Sequence, residues 1–416
     1  MSGSGATVTA KAYKRRPYTD GAVNPDTSSA SSEKVEVGGW TEPGFEPVVG
    51  AFVENFEKRG DVGAACSVYV DGQPVVDIWG GLADLTGGRQ WSPNTLAVVF
   101  STTKGATAIC AHMLVQRGEL DVDAPVAYYW PEFAAAGKER ITVRQVLGHR
   151  AGLAHVDGDL TLDEVLAWDP VVDAIAAQRP NWEPGTAHGY HTRSFGWIVG
   201  EIIRRVDGRS PGRFFADEIA APLGLDFWIG LPESEEPRVS SIVPPEPPTD
   251  PEARALVEQF TGPGTFLGKV MRGPSGLFAY DDMWNTRPLH AAELPSSNGV
   301  ADARSVARMY AAAVGDVDGV RLLEPRTIAA ACEVQSDGPD KVILYPMRFG
   351  LGFILPPGLG STGPRAFGHA GAGGSLGFAD PERKLGFGYV MNRMELGPTA
   401  PERASAIVDA VYDCLL

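Results

Sequence analysis

The chain has 416 residues, of which 44% are hydrophobic and 21% charged, a balance typical of a globular protein with a large buried core. Its formal net charge of −16 argues against a nucleic-acid partner, because a phosphate backbone attracts basic surfaces. The sequence contains no apolar run long enough to span a bilayer, and the basic residues near its start precede no apolar segment of a secretory signal, so neither a membrane partner nor secretion is expected.

The first predicted elements form a helix and a hairpin. Residues 1–36 are rich in small and polar residues, which predicts a flexible tail. Apolar residues recur at helical spacing over Phe45–Arg59, which predicts a helix. Two β-rich runs, Ala64–Val70 and Pro74–Trp79, flank the turn signal Asp71-Gly72, and this arrangement predicts two hairpin strands.

The rest of the chain predicts a helical middle and a late group of strands. Residues 101–299 show mainly helical and loop patterns, and a helix is predicted over Pro401–Cys414. The late strands are predicted at Phe349–Leu355, Arg365–His369, Ser375–Asp380 and Leu385–Met391. Neither strand group alone makes a good sheet, so we expect them to join. The fold class is therefore α+β. Residues 37–100 and 300–416 form an antiparallel β-sheet flanked by N- and C-terminal helices, residues 101–299 form an inserted mainly helical lobe, and the active site lies at the seam.

The segment Ser101-Thr-Thr-Lys104 carries the strongest chemical signal. An apolar run, Leu96–Phe100, precedes it, and apolar residues at helical spacing follow, so Ser101 is predicted to begin a helix. Residues three apart share a helix face, which brings the Lys104 amine within reach of the Ser101 hydroxyl. The helix N-terminus also offers N–H groups and positive potential to an oxyanion. S-x-x-K is a known nucleophile–base pattern. The alternative interpretation of the same pattern is a serine that caps the helix N-terminus beside a solvated lysine.

Tyr190 is the second candidate. It follows the turn signal Pro184-Gly185 and precedes a helix predicted over 194–206. From this place the phenol can point into a cleft, where a nearby ammonium would lower its pKa and let it carry the proton of the serine. A tyrosine packed in the helical lobe is the alternative interpretation.

The glycine-rich run from Gly368 to Ser375 is the third candidate. Glycines let a substrate approach the backbone closely and leave N–H groups free. We predict that the Ala372 N–H joins the Ser101 N–H in an oxyanion hole, and that His369 and Gly371 contact the substrate. A tight turn capped by His369 is the alternative.

Together these segments resemble the serine β-lactamase and penicillin-binding-protein superfamily. The resemblance covers about residues 40–416 and is greatest to the class C β-lactamase-like branch, especially the family VIII carboxylesterases. The segments that carry it are Ser101–Lys104, Val146–Leu153 (similar to LLxHTSGL), Trp182–Gly185, Tyr190, Pro295–Gly299 and His369–Gly371. None of these motifs is specific alone, whereas their combination and order are.

The resemblance implies a serine hydrolase that cleaves short-chain carboxylic esters through an acyl-enzyme on Ser101, with Lys104 and Tyr190 as general base. Class C β-lactamases carry Tyr-x-Asn and Lys-Thr-Gly, where this chain has Tyr190-His191-Thr192 and His369-Ala370-Gly371. Both departures favour neutral esters over anionic, amide-bearing substrates. A β-lactamase, a D-amino-acid peptidase or an acyltransferase on the same fold is the alternative function, and a catalytically silent binding protein is a third.

Other patterns are interpreted as structural. Gly373–Gly377 matches the nucleophile elbow G-x-S-x-G, but no histidine follows His369 to serve Ser375 as a downstream base. The histidines show no zinc-site spacing, and the glycines form no phosphate-binding loop, so neither a metal nor another cofactor is expected. The four scattered cysteines indicate reduced thiols and a cytoplasmic protein.

The sequence leaves the acyl pocket and the oligomeric state open. Five aromatic residues of the 230–290 region could line an apolar acyl pocket, with an ordinary core position as the slightly favoured alternative. They are Phe260, Phe266, Phe278, Tyr280 and Trp284.

Overall fold

The computed structural model describes residues 35–247, 249–395 and 402–416. The predicted flexible tail lies outside the described residues except for its last two positions. The strands are β1 (Val37–Thr41), β2 (Gly63–Val70), β3 (Gln73–Asp84), β4 (Arg89–Gln90), β5 (Ala97–Val98), β6 (Phe227–Trp228), β7 (Val300–Ala301), β8 (Ser336–Pro339), β9 (Pro346–Phe349), β10 (Phe367–Ala370), β11 (Leu376–Asp380) and β12 (Leu385–Met391).

Helices fill most of the middle of the chain. The α-helices are α1 (Glu46–Lys58), α2 (Thr103–Gln116), α3 (Val126–Tyr129), α4 (Val143–Leu147), α5 (Leu162–Leu166), α6 (Asp169–Ala177), α7 (Ser194–Asp207), α8 (Pro211–Phe215), α9 (Ala221–Leu223), α10 (Pro251–Thr261), α11 (Phe266–Arg272), α12 (Arg287–Ala291), α13 (Ala303–Val314), α14 (Pro325–Ala331) and α15 (Glu402–Cys414). A π-helical segment, Ala216–Ala220, joins α8 to α9. The 3₁₀ segments are Phe100–Thr102, Pro131–Gly137, Glu233–Arg238, Asp282–Asn285 and Ala372–Gly374.

One antiparallel sheet joins the two ends of the described chain. Its strand order is β1-β3-β2-β12-β11-β10, with the short β4 paired to β3. The N-terminal and C-terminal strands meet where β2 pairs with β12, with Ala64 opposite Met391 and Val70 opposite Leu385. Both central strands are almost wholly buried, as expected for strands covered on both faces. The predicted hairpin and the predicted joining of the two strand groups are therefore confirmed.

Helices cover both faces of this sheet. On one face α1 and α15 pack together and bury Phe52 and Ile407 against sheet residues such as Phe387. On the other face α13 lies against β2, β11 and β12. The approach is close, because a Cβ on Gly388 of β12 would stand 2.3 Å from the carbonyl oxygen of Ala303. An α+β architecture with the terminal helices flanking the sheet is confirmed.

The helices of the middle segment surround α2. This helix packs against α7 and α8, and its residues from Thr103 to Leu114 are all buried. A small three-stranded sheet in the order β5-β7-β6 connects the segment before α2 to the segment before α13. The division into lobes at residues 100 and 300 stays a prediction.

One predicted strand is wrong. The apolar run Phe349–Leu355 was expected to be extended, but the strand β9 ends at Phe349 and pairs with β8. The chain then turns back, with the Gly350 N–H bonded to the Phe353 carbonyl at 2.9 Å. Gly352 has a φ of 86°, a conformation that glycine adopts without strain, so two glycines convert the apolar run into a turn.

Two further expectations concern membranes and cysteines. Within the described ranges, none of the helices combines the length and apolarity needed to cross a bilayer. Cys66, Cys110, Cys332 and Cys414 are free thiols, and the first two are buried. Burial raises the pKa of Cys332 to about 12, so this thiol stays protonated near neutral pH.

Candidate active site

Ser101 lies in the 3₁₀ turn Phe100–Thr102, which leads directly into α2. Both flanking residues are buried, whereas Ser101 is partly exposed. Phe100 has a φ of 44°, an unusual conformation for an aromatic residue, and its ring packs edge-on against Trp284 at 5.0 Å. The structure thus places the Ser101 hydroxyl at the start of a buried helix, as the sequence predicted.

Lys104 is fully buried beside Ser101. Its Nζ lies 3.0 Å from the Ser101 Oγ and donates a hydrogen bond to the Ser296 carbonyl, also at 3.0 Å. Burial, followed by the charge of Arg193, holds the pKa of Lys104 well below its usual value. An amine that has lost its proton can accept the proton of a neighbouring hydroxyl. The solvated lysine of the alternative interpretation is therefore wrong.

Tyr190 reaches the same place from the segment before α7. The Lys104 Nζ lies 4.9 Å from the centre of the Tyr190 ring. Burial raises the pKa of Tyr190, although a side-chain hydrogen bond with Ser101 opposes that rise. The expectation that a lysine ammonium would lower this pKa is wrong, because burial of the phenol outweighs the opposing contribution. The phenol therefore keeps its proton in the resting site.

Packing and one carboxylate hold Tyr190 in place. Its ring lies parallel to that of Phe349, with centroids 6.0 Å apart, and stacks on His369 at 5.9 Å. The Tyr190 N–H donates to Asp340 Oδ1 at 3.1 Å, and this oxygen also accepts the N–H groups of Val342 and Ile343. No local pattern in the sequence indicates Asp340, because the contact joins residues 150 positions apart.

The glycine-rich turn, defined here as residues 371–375, lies directly against the segment before Ser101. A Cβ on Gly371 would stand 2.3 Å from the Val99 carbonyl oxygen, so only glycine fits there. Ala372 is the one partly exposed residue of this turn. The turn and the 3₁₀ segment at Ser101 pack together. Pairing of the Ala372 N–H with the Ser101 N–H in an oxyanion hole stays a prediction.

Ser375 fixes that contact and is not exposed. Its Oγ donates to the Val99 carbonyl at 2.8 Å and lies 3.0 Å from the Thr102 Oγ1. The side chain is completely buried, so it cannot meet a substrate. This agrees with the rejection of Ser375 as nucleophile and gives the residue a structural role.

His369 lines the site in a neutral form. The residue is buried, and its Nδ1 lies 2.7 Å from the Ala370 carbonyl oxygen. Burial and the neighbouring Lys104 lower the pKa of His369 to about 3, so its ring carries no charge near neutral pH. Its Nε2 has no hydrogen-bond partner among the described residues. Contact of His369 and Gly371 with a substrate stays a prediction.

The other histidines near the site are packed and hydrogen-bonded. The His149 Nδ1 accepts the His191 N–H at 3.1 Å, and the His191 Nε2 accepts the Leu153 N–H at 3.0 Å. Burial lowers the pKa of His191 to about 4. Among the described side chains, no group of three or more histidines, cysteines and carboxylates is arranged to hold a metal ion.

Two further groups support the site. Besides its bond to Lys104, Ser296 receives the Gly196 N–H on its Oγ, and its hydroxyl donates to the Arg193 carbonyl at 2.9 Å. From α15, Arg403 donates to the Gly373 carbonyl at 3.3 Å and pairs with the buried Asp61 at 2.5 Å. The family resemblance of Pro295–Gly299 indicated the segment that holds Ser296, whereas no local pattern indicated Arg403.

The five aromatic residues do not form one pocket. Phe278 and Trp284 are buried and stack on each other at 5.8 Å, so they belong to the core. Tyr280 packs edge-on against Phe100, the residue before Ser101, at 5.8 Å. Phe260 and Phe266 are 48% and 38% exposed. Of the five, Tyr280 and Trp284 both pack against Phe100 in the turn that carries Ser101, and of these two Tyr280 is the partly exposed one.

Comparisons with known proteins agree with this geometry. The chain is 38% identical over 369 residues to a protein of Mycobacterium tuberculosis named "Esterase/beta-lactamase LipL", a match that covers 86% of this chain and 83% of the relative. A crystal structure of a family VIII carboxylesterase shares 37% identity with a TM-score of 0.82, covering 91% of this chain and all of that one. EstA from Arthrobacter nitroguajacolicus Rue61a shares 37% identity with a TM-score of 0.81, covering 90% of this chain and 97% of that one.

The family assignment rests on most of the chain. The family model described as Beta-lactamase matches residues 50–412, a range that holds Ser101, Lys104, Tyr190 and the glycine-rich turn. The resemblance to the family VIII carboxylesterases inferred from the motifs is confirmed by the structural neighbours. The chain belongs to the beta-lactamase family.

Proposed function

We propose that this chain is a carboxylesterase that cleaves short-chain esters through an acyl-enzyme on Ser101. The observation that carries the proposal is the 3.0 Å separation between the Ser101 Oγ and the buried Nζ of Lys104. The names of the relatives, an esterase/beta-lactamase and a family VIII carboxylesterase, support the same chemistry. A small-molecule ester is the expected substrate, and no cofactor enters the reaction.

Acylation begins with the neutral amine of Lys104. As the Ser101 oxygen attacks the ester carbonyl, its proton moves to the Lys104 Nζ, which the Ser296 carbonyl holds in place. The ammonium that forms lies in a buried site, where burial and Arg193 weaken its hold on the proton. The proton then passes to the departing alkoxide, and the phenol of Tyr190, hydrogen-bonded to Ser101, completes the path.

The oxyanion and the second half-reaction use the two packed turns. The N–H groups of Ser101 and Ala372 hold the negative oxygen of each tetrahedral intermediate. A water molecule then attacks the acyl-enzyme and gives its proton to Lys104. Collapse of the intermediate releases the acid, and Ser101 recovers its proton.

The polar groups around the site favour a neutral substrate. His369, at the position where class C β-lactamases carry the lysine of Lys-Thr-Gly, is uncharged because burial keeps its pKa near 3. Thr192, at the position of the asparagine in Tyr-x-Asn, is buried and directs its hydroxyl to the Met271 sulfur at 3.6 Å. Neither residue offers a group suited to an anionic, amide-bearing substrate.

Hydrolysis of p-nitrophenyl butyrate by matched serine variants tests the proposal. Ser101→Ala should abolish hydrolysis, whereas Ser375→Ala should keep a measurable rate, because the buried Ser375 hydroxyl only holds the glycine-rich turn through its hydrogen bond to Val99. A fluorophosphonate probe should label the wild-type protein at Ser101 and fail to label Ser101→Ala. An active Ser101→Ala variant, or a probe found on Ser375, would refute the assignment.

A β-lactamase is the second candidate, because the name of the M. tuberculosis relative includes that activity. The same nucleophile and base would open a lactam ring. Nitrocefin and p-nitrophenyl butyrate assays on one preparation separate the two functions. We expect a kcat/KM for the ester far above that for nitrocefin, and the reverse order would favour the lactamase.

A further inference from the structure

Arg193 is a buried cation without a carboxylate partner. The residue precedes α7 and is 5% exposed. Its guanidinium donates to the Ser297 Oγ at 3.2 Å and to the Met271 carbonyl at 3.0 Å, and its face lies 4.2 Å from the centre of the Phe278 ring. In the part of the chain that the structure describes, no aspartate or glutamate forms an ion pair with it.

A buried charge of this kind is costly unless neighbouring groups compensate it. Stacking on Phe278 and Trp284 and two neutral acceptors supply part of the compensation. The contrast with Arg403 is clear, because that buried guanidinium meets the carboxylate of Asp61. The charge of Arg193 therefore acts on its surroundings without being neutralised by a partner.

One loop holds Arg193 and Lys104 at a fixed spacing. The Ser296 carbonyl binds the Lys104 Nζ, and the hydroxyl of the next residue, Ser297, binds the Arg193 Nη1. The Ser296 hydroxyl also donates to the Arg193 carbonyl. Because consecutive residues bind both groups, neither can move away from the other without breaking the loop contacts.

The other titratable groups around Lys104 are uncharged. Burial lowers the pKa of His369 to about 3 and holds that of His149 well below its usual value, so both rings are neutral near pH 7. Tyr190 faces Lys104 and Tyr280 faces Arg193, and burial raises the pKa of both phenols. Among these described groups, Arg193 alone carries a charge, and a like charge disfavours protonation of an amine.

We propose that Arg193 is a positioning residue whose permanent charge keeps the Lys104 amine in its neutral, proton-accepting form. The inference rests on the proposed function, in which Lys104 is the general base. The charge acts twice in each half-reaction: it leaves the amine free to take a proton from the attacking oxygen, and it then drives that proton on to the departing group. Arg193 itself touches neither the substrate nor the reacting atoms.

The pH dependence of kcat/KM tests this role. The acidic limb of this profile is the range in which kcat/KM rises with pH as Lys104 loses its proton. In Arg193→Gln this limb should move to higher pH by about one unit, the usual size of an effect from one nearby charge. At a pH below the limb this means about a tenfold loss of activity, while the plateau at higher pH keeps most of its height. Arg193→Lys retains the charge and should restore the limb towards its wild-type position.

A second pair of variants leaves Arg193 unchanged, so this test does not depend on whether Arg193→Gln folds. Ser297→Asp puts a carboxylate beside the guanidinium, so the acidic limb should again move to higher pH. Ser297→Asn is the matched control of nearly equal size without charge, and its limb should stay in place. The pH dependence of fluorophosphonate labelling at Ser101 gives the same information without an ester substrate.

The outcomes separate this inference from the proposed function. If the wild type neither hydrolyses esters nor reacts with the probe, the proposed function fails. If the wild type is active and the limb stays in place in Ser297→Asp, the charge of Arg193 does not act on Lys104 and this inference is overturned. A lower plateau with an unmoved limb in Arg193→Gln would show a purely structural role, which also overturns it.

Discussion

A Cβ on Gly371 would lie 2.2 Å from the Oγ of Ser375, so the glycine leaves the space that the serine hydroxyl occupies. That hydroxyl reaches past Gly371 to the Val99 carbonyl, two residues before Ser101. The position of the glycine-rich turn against the segment before Ser101 thus depends on Gly371 and on the buried hydroxyl of Ser375.

Gly371→Ala should reduce kcat strongly with little change in KM. The added methyl group must push the glycine-rich turn away from Val99, which withdraws the Ala372 N–H from the oxyanion. Loss of one such donor typically costs about 10²–10³ in rate. Gly50→Ala in α1 is the control, since a Cβ there meets no atom within 4 Å, and it should leave ester hydrolysis unchanged. Equal rates of ester hydrolysis for both variants would contradict a role of the glycine-rich turn in the mechanism.

Tyr190→Phe should lower kcat by about 10²–10⁴, the usual contribution of a positioned proton-transfer group. The ring keeps its stacking on Phe349, so the fold and substrate binding should be preserved. Tyr345→Phe removes a phenol from a nearby half-buried tyrosine and should retain the wild-type rate. Steady-state hydrolysis of p-nitrophenyl butyrate measures the kcat of both variants. A fully active Tyr190→Phe would assign all proton transfer to Lys104.

The pH profile of the wild type should have an acidic limb and a broad plateau. The reactive form needs a neutral Lys104, whose pKa lies well below its usual value, so kcat/KM should rise with pH and level off before the ordinary lysine range. The raised pKa of Tyr190 predicts no alkaline fall in the ordinary tyrosine range. An acidic limb near the ordinary lysine value, measured by initial rates across pH, would contradict a neutral resting amine.

Arg403→Met should destabilise the protein by about 3–5 kcal/mol, because it leaves the Asp61 carboxylate buried without its partner. Burial already raises the folded-state pKa of Asp61 despite Arg403. A raised carboxyl pKa favours folding at low pH and opposes it as the pH rises through that value, so the deficit should be larger at pH 8 than at pH 5.

Denaturant unfolding at the two pH values measures that deficit. Arg326→Met is the matched control, because the Arg326–Glu324 pair is exposed and its loss should change stability by less than about 1 kcal/mol. A deficit that does not depend on pH would mean that Asp61 is not the source of the instability.

Local patterns were sufficient for several of the elements and for the placement of Ser101 beside Lys104. β12 has the predicted bounds, because it is a continuous apolar run ended by polar residues. Ser101 and Lys104 lie three positions apart, so their contact follows from the geometry of one helical turn. The strand predicted over Phe349–Leu355 is wrong because Gly350 and Gly352 turn the chain back. The apolar pattern alone does not show where such a turn occurs.

Long-range contacts account for what the sequence could not show. The raised pKa of Tyr190 depends on burial by residues distant in the chain, and its backbone is held by Asp340, 150 positions away. The same limit applies to Arg193, which gives no sign in the sequence that it is buried without a counter-ion. Spacing predicts neighbours along a helix, whereas the charge state of a site depends on the whole packed interior.

The pairing of β2 with β12 has a consequence for synthesis of the chain on the ribosome. β2 must wait for β12, its neighbour at the centre of the sheet, until the whole segment between Val70 and Leu385 has been made. Arg403, which reaches the glycine-rich turn, emerges later still. The edge of β2 that faces β12 therefore stays open until Leu385–Met391 has been made, and the glycine-rich turn gains its contact with Arg403 only when α15 docks.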